Sequence, residues 1–249
     1  MIICLLLVMA KFVFSVNKLE TSYPTASVKK ITFKLKDGDL LGIIGPSGSG
    51  KSMLLETIVG LKKQDLGELT VTNDEKEIVQ LKSIIGYSPQ KNALYRLLTV
   101  RENFLFFGRL YGLKKKTIVE RMNTLLKQVG LQGADKKRIY QLSVGMQKRA
   151  DIAITLLHKP KIIVLDEPFS GLDISLCRFL WTILKKLAKK GHIVILTSHR
   201  IEDVQKYCNQ IGLVYDSKYH PTKQVHEAMK KNGRRSLTHY IEQLFGTKI

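Results

Sequence analysis

The chain has 249 residues, of which 44% are hydrophobic and 25% are charged. This composition is ordinary for a folded protein and excludes disordered and collagen-like classes. The 41 Lys and Arg residues exceed the 21 Asp and Glu residues by 20, so we expect an anionic partner such as a nucleotide, a nucleic acid or the cytoplasmic surface of a membrane. Most of the basic residues are scattered lysines rather than arginines, so we expect no specific nucleic-acid partner.

The first residues allow three interpretations. The longest apolar run, Ile2 to Ala10, covers nine residues, whereas a membrane-spanning helix needs about 20. A polytopic membrane protein is therefore excluded, and a secretory signal would need a basic start and a small-residue cleavage site that this segment lacks. We favour either translation that begins at Met9 instead of Met1, or a first strand that continues through Phe12 to Val16. The three cysteines are widely spaced and form no paired motif, which favours a reducing compartment.

Strands alternate with helices along most of the chain. The predicted strands are Ile31–Leu35, Leu40–Ile44, Ile162–Leu165 and Ile193–Leu196. The predicted helices are Met53–Gly60, Thr117–Val129, a helix with Leu176 to Leu187 on its apolar face and Gly191 at its end, and, in a basic tail, Leu237–Phe245. Such alternation predicts an α/β fold with a largely parallel sheet covered on both faces, into which the helix-rich segment Asn92–His158 is inserted.

A glycine-rich segment connects the strand Leu40–Ile44 to the helix that follows it. Residues 45–52 match the phosphate-binding pattern Gly-x-x-x-x-Gly-Lys-Ser/Thr, and a strand before it and a helix after it are its proper context. The glycines let backbone N–H groups turn inward, and the helix N-terminus adds partial positive charge. Lys51 can reach the β- and γ-phosphates, and Ser52 can ligate Mg²⁺. The segment therefore predicts a nucleotide site formed by Gly45, Pro46, Ser47, Gly48, Ser49, Gly50, Lys51 and Ser52.

Two carboxylates, Asp166 and Glu167, follow the apolar strand Ile162–Leu165. They are expected at the carboxyl edge of the sheet, where ligands bind in open α/β folds. We predict that Asp166 holds Mg²⁺ and that Glu167 is the general base that activates the attacking water.

Between and around these two motifs lies a set of further segments, in the order in which ABC-type ATPases carry them. Leu142–Arg149 (Leu-Ser-Val-Gly-Met-Gln-Lys-Arg) resembles the ABC signature motif, and Gln90 resembles the glutamine of the Q-loop. Ser170–Asp173 resembles the D-loop, and His199 resembles the switch histidine. Tyr23 stands 28 residues before Lys51, where the family keeps an aromatic residue that stacks on adenine, although Phe33 is close enough in sequence to be confused with it.

The resemblance implies a role for each matching residue. The catalytic residues would be Glu167, His199 and Gln90, and the Mg²⁺ ligands would be Ser52, Gln90 and Asp166. Besides the 45–52 loop, the ATP-binding residues would be Tyr23, Ser143, Gly145 and Asp173, of which Ser143 and Gly145 would meet the γ-phosphate of a partner subunit's ATP.

Two residues depart from the family's usual Ser-Gly-Gly-Gln signature. Val144 replaces the first glycine, and Met146 replaces the glutamine. A β-branched residue disfavours positive φ, so Val144 leaves the geometry of this loop open. Gly-Met at this place is similar to the subgroup that serves ABC-2-type exporters, as are the segments Leu98–Phe104 and Phe106–Gly112.

The resemblance implies the architecture of a RecA-like P-loop NTPase core with an N-terminal antiparallel β subdomain and an inserted helical subdomain. We expect a single ATPase domain over residues 11–215, with its α/β core in about 11–90 and 159–215, its helical subdomain in about 91–158, and a basic extension over 216–249.

The implied function is ATP hydrolysis that powers a membrane exporter. Two such subunits, identical or different, would close on ATP and open after hydrolysis, while docked to an ABC-2-type permease at the cytoplasmic face of the membrane. The alternative is a soluble ABC-type ATPase acting on ribosomes or nucleic acid, for which the net charge of +20 is the best argument. Translation-type members usually carry two cassettes and repair-type members a long insertion, whereas only 92 residues separate Lys51 from Ser143 here. A P-loop kinase or GTPase would leave the signature segment and His199 unexplained.

Overall fold

The computed structural model describes residues 11–23, 26–73, 81–231 and 236–246. The strands are β1 Val13–Tyr23, β2 Ala26–Lys36, β3 Leu40–Ile44, β4 Leu66–Thr72, β5 Ile85–Ser88, β6 Ile162–Leu165, β7 Ile193–Thr197, β8 Gln210–Tyr215 and β9 Lys218–His220. The helices are α1 Lys51–Ile58, α2 Leu81–Ile84, α3 Val100–Leu110, α4 Lys115–Gln128, α5 Val144–Thr155, α6 Ile174–Lys189, α7 Ile201–Tyr207, α8 Thr222–Lys231 and α9 Leu237–Phe245. The two favoured interpretations of Met1–Ala10, a start at Met9 and a first strand, concern residues outside the described ranges. Strand β1 does cover the expected strand from Val13 to Val16.

The strands form one mixed sheet in the order β4-β1-β2-β9-β8-β3-β7-β6-β5. β1 pairs antiparallel with both β2 and β4, whereas β8, β3, β7, β6 and β5 are parallel to one another. β9 pairs antiparallel with β8, and its Lys218 pairs with Lys29 of β2, which joins the two parts. The predicted fold class, an α/β core with an N-terminal antiparallel part and an inserted helical segment, is confirmed.

The central strands are buried on both faces because side chains of successive residues in a strand point to opposite sides. In β3, Leu40 and Ile44 belong to a core formed with α3 to α7, whereas Leu41 and Ile43 belong to a second core formed with α1 and the antiparallel strands. All five residues of β3 are buried. Because both faces of these strands are covered, the strands that lead to the site are continuous apolar runs in the sequence. No helix in the described ranges is both long and apolar enough to span a membrane.

The inserted segment is a helical layer that begins at a well-defined cap. The Thr99 hydroxyl accepts a hydrogen bond from the Glu102 backbone N–H at 3.1 Å, and the Glu102 carboxylate accepts one from the Thr99 N–H at 2.7 Å. This reciprocal capping starts α3, whose Phe104 is fully buried with Ile118 of α4 in the first core. Helix α5 follows and packs against β5, so the inserted layer connects directly to the sheet.

The C-terminal tail packs onto the core. Beyond β9, Leu237 and Ile241 of α9 are buried in the first core, the Leu237 N–H donates to the side chain of Gln205 at 3.0 Å, and the Tyr215 hydroxyl donates to the Leu244 carbonyl at 3.0 Å. The domain boundary that we predict at Tyr215 lies in the turn between strands β8 and β9, which are hydrogen-bonded to each other.

Close approach of α5 to β5 depends on Gly86. A Cβ added at Gly86 would lie 2.7 Å from the Thr155 carbonyl oxygen and 2.9 Å from its Cγ2. Because backbone cannot move aside cheaply, we expect Gly86→Ala to lower the free energy of unfolding by about 1–3 kcal/mol, measured by urea denaturation. The comparison variant Gly112→Ala places its methyl in open space and meets only the strain of its φ of +69°, about 1 kcal/mol. A Gly86→Ala protein as stable as the parent would show that the contact is looser than described.

Candidate functional site

The 45–52 loop leaves the Ser49 hydroxyl and the start of helix α1 without partners among the described residues, as an anion site requires. Gly50 is the N-cap of α1 with φ +96°, and no side chain caps the helix, so its first N–H groups remain available. A Cβ at Gly50 would lie 2.6 Å from Val28, so only glycine fits this close approach. Ser49 Oγ is buried without a hydrogen-bond partner among the described residues. These orphaned donors fit the phosphates of a nucleotide.

Lys51 lies inside this loop. Its Nζ donates hydrogen bonds to the carbonyl oxygens of Gly45 and Pro46, at 2.9 Å each, and the side chain is buried. Burial lowers the pKa of Lys51, and the negative charges of Glu167 and Asp166 oppose that shift. The predicted phosphate-binding lysine and the two predicted carboxylates therefore lie within electrostatic reach of one another.

The two carboxylates are held by a buried threonine. Thr197, the last residue of β7, is fully buried and donates its hydroxyl to Asp166 Oδ1 at 2.5 Å. The same hydroxyl oxygen accepts the Glu167 backbone N–H at 2.9 Å. Glu167 has φ +45°, a left-handed conformation that is rare outside glycine and often found at functional sites. Thr197 thus braces both acids where the backbone is strained.

Glu167 faces His199. The Glu167 Oε1 and His199 Nε2 atoms lie 3.1 Å apart, but their geometry is not that of a hydrogen bond. Oε1 can therefore still accept a hydrogen bond from another donor, such as a water molecule. Desolvation by burial raises the pKa of Glu167, and the charges of His199 and Lys51 oppose that rise. A desolvated carboxylate beside a half-exposed imidazole is an arrangement that can take a proton from water.

Gln90 completes this edge of the sheet. It is exposed and follows β5, two residues after Ser88. The strands β3, β7, β6 and β5 are consecutive neighbours, and the 45–52 loop, His199, the carboxylates and Gln90 follow their respective carboxyl ends. Parallel strands bring these ends to one edge, where ligands bind in such sheets.

The structure distinguishes Tyr23 from Phe33. Tyr23 ends β1, is 59% exposed, and has the Lys62 Nζ 4.1 Å from its ring centroid. Phe33 is instead half-buried and packs against the buried rings of Phe14 and Tyr219, with ring centroids 6.1 and 5.4 Å away. Tyr23 is thus the more exposed of the two rings, and one of its faces carries the Lys62 ammonium group.

The signature residues lie at the start of a helix. Ser143 is the N-cap of α5 and accepts the Met146 N–H at 3.3 Å. Val144 is the first helical residue and is not among the residues with positive φ, so its β-branched side chain does not strain the loop. A Cβ at Gly145 would lie 2.7 Å from Leu176 Cδ1, so a side chain at this position would displace that leucine.

Asp173, in the segment that resembles the D-loop, is the N-cap of α6. Its carboxylate accepts the Ser175 hydroxyl at 2.6 Å and the Leu176 N–H at 2.9 Å, and these bonds lower its pKa. Among the residues that the structure describes, no hydrogen bond or ion pair joins Ser143, Gly145 or Asp173 to the 45–52 loop. The predicted site residues therefore fall into two groups: one assembled at the sheet edge, and one formed by the exposed starts of α5 and α6.

Sequence reasoning did not identify Thr197 or the buried polar residues of α5. Thr197 ends an apolar strand two residues before His199, and a polar residue at that place was the available signal. Lys148 and Asp151 carry charge on a helix, where the ordinary expectation is exposure. Both are nevertheless buried.

Known proteins resemble this chain in sequence. Residues 28–170, more than half of the chain, match the sequence profile of the ABC transporter family. The chain is 39% identical over 189 residues to the linearmycin resistance ATP-binding protein LnrL of Bacillus subtilis, covering 75% of this chain and 61% of that one. It is 34% identical over 187 residues to the Nod factor export ATP-binding protein I of a Rhizobium species, covering 74% and 61%. The chain thus spans about three fifths of the length of these relatives.

Solved structures share the fold. One described as the ATP-binding subunit of an ABC transporter superposes with a TM-score of 0.79 over 94% of this chain and 99% of its own, at 22% identity. Another, a nucleotide-free ATP-binding cassette from an ABC transporter, gives a TM-score of 0.73 over 91% and 98%, at 20% identity. With a phosphate-binding loop, paired carboxylates and a signature helix in this arrangement, the chain belongs to the ABC transporter family and carries its ATP-binding domain.

Proposed function

We propose that this chain is the subunit that binds and hydrolyses ATP to power a membrane exporter. The observation that carries the proposal is the convergence of Lys51, Asp166, Glu167 and His199 at one sheet edge, with Glu167 buried, strained and 3.1 Å from His199. The names of the relatives support transport over the alternative of a ribosome- or nucleic-acid-directed ATPase, since they describe drug resistance and export.

The residues present fit an ATP–Mg²⁺ complex. Ser52, Asp166 and Gln90 offer hydroxyl, carboxylate and amide oxygens, which are the ligands that Mg²⁺ prefers. Within the described ranges no cluster of three or more His, Cys, Asp or Glu side chains could hold a metal unaided, so substrate phosphates would complete the coordination, as is usual for this ion. When bound, the ion neutralises charge on the β- and γ-phosphate oxygens.

Each residue of the site would then have its own role in binding or hydrolysis. The N–H groups at the start of α1 and the Lys51 cation bind the phosphates, and Tyr23 stacks on the adenine ring. The Glu167 carboxylate accepts the proton of the attacking water. His199 orients that carboxylate relative to the γ-phosphate. Thr197 keeps Asp166 and Glu167 in place throughout.

A second subunit would supply the missing half of the site. Ser143, Gly145 and Asp173 make no hydrogen bond to the chain's own 45–52 loop among the described residues, yet they would meet ATP in the family's dimer. Exposed apolar side chains flank them: Val144 is 65% exposed and Ile174 is 63% exposed. This surface supports a dimer in which each signature faces the partner's ATP, whether the two chains are identical or different.

An apolar groove supports docking to an ABC-2-type permease at the cytoplasmic face of the membrane. The groove, about 470 Å³, lies on α3 and is lined by Leu98, Glu102, Leu105, Phe106, Arg109 and Leu110. The exposed ring of Tyr95 stands edge-on to Phe106 at 4.7 Å, close to the segment that carries Gln90. In the family such a groove receives a short helix of the permease. The exposed side chains of Leu110, Phe106 and Tyr95 give a partner helix apolar contacts at this groove.

Replacement of Thr197 by valine tests the braced carboxylates. Thr197→Val keeps the shape but removes a hydrogen bond to a charged group worth about 1.5–3 kcal/mol. We expect ATP hydrolysis to fall about tenfold to a hundredfold, with little change in ATP affinity, and Thr197→Ser to restore the rate. Phosphate release and ATP titration measure the two quantities. A valine variant with the parental rate would contradict the bracing role.

Membrane fractionation tests the partner and the location. We expect the chain to stay with native membranes after washing in 1 M salt, where the Debye length is about 3 Å and attraction to anionic lipid is screened. Leu110→Glu, in the groove, is expected to release most of the chain, whereas Leu66→Glu, an equally exposed leucine on β4, should not. Recovery of the parent chain with ribosomes or in the soluble fraction, with no permease attached, would favour the alternative function.

A further inference from the structure

Two charged residues of α5 are buried on the face that packs against β5. Lys148 is 6% exposed and Asp151 is 3% exposed, and between them lies Ser88, the fully buried last residue of β5. Burying a charge costs several kcal/mol unless partners compensate it, so such groups persist where they are specifically bonded. None of the roles proposed above uses them.

The three side chains form a continuous hydrogen-bonded chain. Lys148 Nζ donates to Ser88 Oγ at 3.2 Å, and Ser88 Oγ in turn donates to Asp151 Oδ2 at 2.5 Å. Lys148 Nζ also donates to the Pro89 carbonyl oxygen at 2.8 Å. Cation, hydroxyl and carboxylate thereby compensate one another, which explains how both charges are kept in the interior.

These bonds hold both flanks of Gln90. On one side Lys148 binds the Pro89 carbonyl; on the other, the Ala93 N–H donates to Asp151 Oδ1 at 3.4 Å. The Asn92 amide also donates to Gln147 of α5 at 3.3 Å. Gln90 itself is exposed. The 89–93 segment is therefore anchored to one helix at both ends, while its central glutamine stays free to contact a ligand.

The same helix begins at Ser143. Lys148 is five residues further on, about 7.5 Å along the axis at 1.5 Å per residue. Ser143, Lys148 and Asp151 all belong to this one helix or its cap, so a displacement of the helix would also displace the anchors of the 89–93 segment. The charges of Asp166 and Glu167 also act on Lys148, opposing the lowering of its pKa by burial. The buried cation is thus within electrostatic reach of the predicted hydrolytic carboxylates.

We propose that Lys148, Ser88 and Asp151 are positioning residues that fasten the Gln90 segment to the signature helix, so that the two move as one unit. The inference rests on the proposed function, because it assigns the unit to ATP hydrolysis. The proposal explains why the charges of Lys148 and Asp151 are buried: they hold the 89–93 segment in place.

The test uses the full chain with the double variant Lys148→Met/Asp151→Leu. Removing both charges together avoids leaving one unpaired in the interior, and apolar replacements of buried ion pairs are often neutral for stability. We expect amide hydrogen exchange of residues 90–93 to accelerate at least tenfold, and kcat for ATP to fall at least tenfold while KM and ATP affinity change less than twofold. Ser88→Ala, which removes only the bridging hydroxyl, should change both readouts in the same direction.

Controls separate positioning from general packing. Arg121→Met removes another cation bonded to a backbone carbonyl, that of Leu157 at 2.8 Å, and should leave exchange at residues 90–93 unchanged. Lys148→Arg keeps a cation that can donate to both Ser88 and the Pro89 carbonyl, and it should keep the parental kcat. A folded double variant and Ser88→Ala with parental exchange and kcat would overturn the proposal. If the parent chain hydrolyses no ATP, the proposed function fails, while exchange at residues 90–93 still decides whether the anchor exists.

Discussion

Replacing Lys51 by alanine is expected to lower ATP affinity at least a hundredfold and to abolish hydrolysis. The side chain is a buried cation inside the phosphate loop, and alanine would leave phosphate charge without its closest counter-ion. A preorganised cation in a water-poor site contributes far more than one on the surface, because no solvent rearrangement is needed when the ligand arrives. Titration with ATP gives the affinity, and phosphate release gives the rate.

Lys127 provides the matched control. It is an exposed lysine on α4, and Lys127→Ala should retain parental affinity and rate. Thermal unfolding without nucleotide should be similar in the two variants, which separates lost binding from lost folding. Phosphate release that continues unchanged in Lys51→Ala would remove the basis for assigning hydrolysis to this site.

Replacing Glu167 by glutamine is expected to stop hydrolysis while ATP still binds. Glutamine keeps the size of the side chain but cannot accept a proton, and general-base catalysis contributes about 10²–10⁴-fold in rate. The phosphate contacts of Lys51 and the oxygen ligands of Ser52 and Asp166 remain. Glu120→Gln, at an exposed position of α4, serves as the control that changes charge equally without touching the site.

The same variant reports on assembly. If ATP joins two subunits through the signature of each, blocking hydrolysis should make the closed dimer accumulate in size-exclusion chromatography with ATP. The parent chain should show less dimer, since hydrolysis reopens it. A Glu167→Gln chain that binds ATP yet stays monomeric at every ATP concentration would count against the two-subunit site. Hydrolysis within twofold of the parent would exclude Glu167 as the base.

Much of the fold could be predicted because its signals are local. The strands β3, β6 and β7 are continuous apolar runs, since they are covered on both faces, and the P-loop is recognisable because glycine, lysine and serine are needed at fixed spacing around a phosphate. The helix α9 also matched its predicted bounds of Leu237–Phe245. Each of these features depends on residues adjacent in the chain, so short-range periodicity and spacing are enough to identify them.

Contacts between distant segments decided the rest. Tyr23 and Phe33 have similar sequence positions, but β2 turns Phe33 towards Phe14 and Tyr219 and leaves Tyr23 exposed. The geometry at Val144 depended on whether the position lies in a loop or in the first turn of a helix, and the structure places it in α5.

Sequence alone therefore specified the strands β3, β6 and β7 and the second half of β2, together with the phosphate loop, the paired carboxylates and the order of the motifs. Only the tertiary structure revealed that Thr197 braces Asp166 and Glu167 from a neighbouring strand, 30 residues from Glu167. Only it revealed that Lys148 and Asp151, charged residues expected at the surface, are paired through Ser88 in the interior, 60 and 63 residues from that serine. The physical reason is the same in both cases. A buried polar group needs hydrogen-bond or charge partners, and tertiary packing supplies them from residues far away in the sequence, so local sequence patterns do not reveal them.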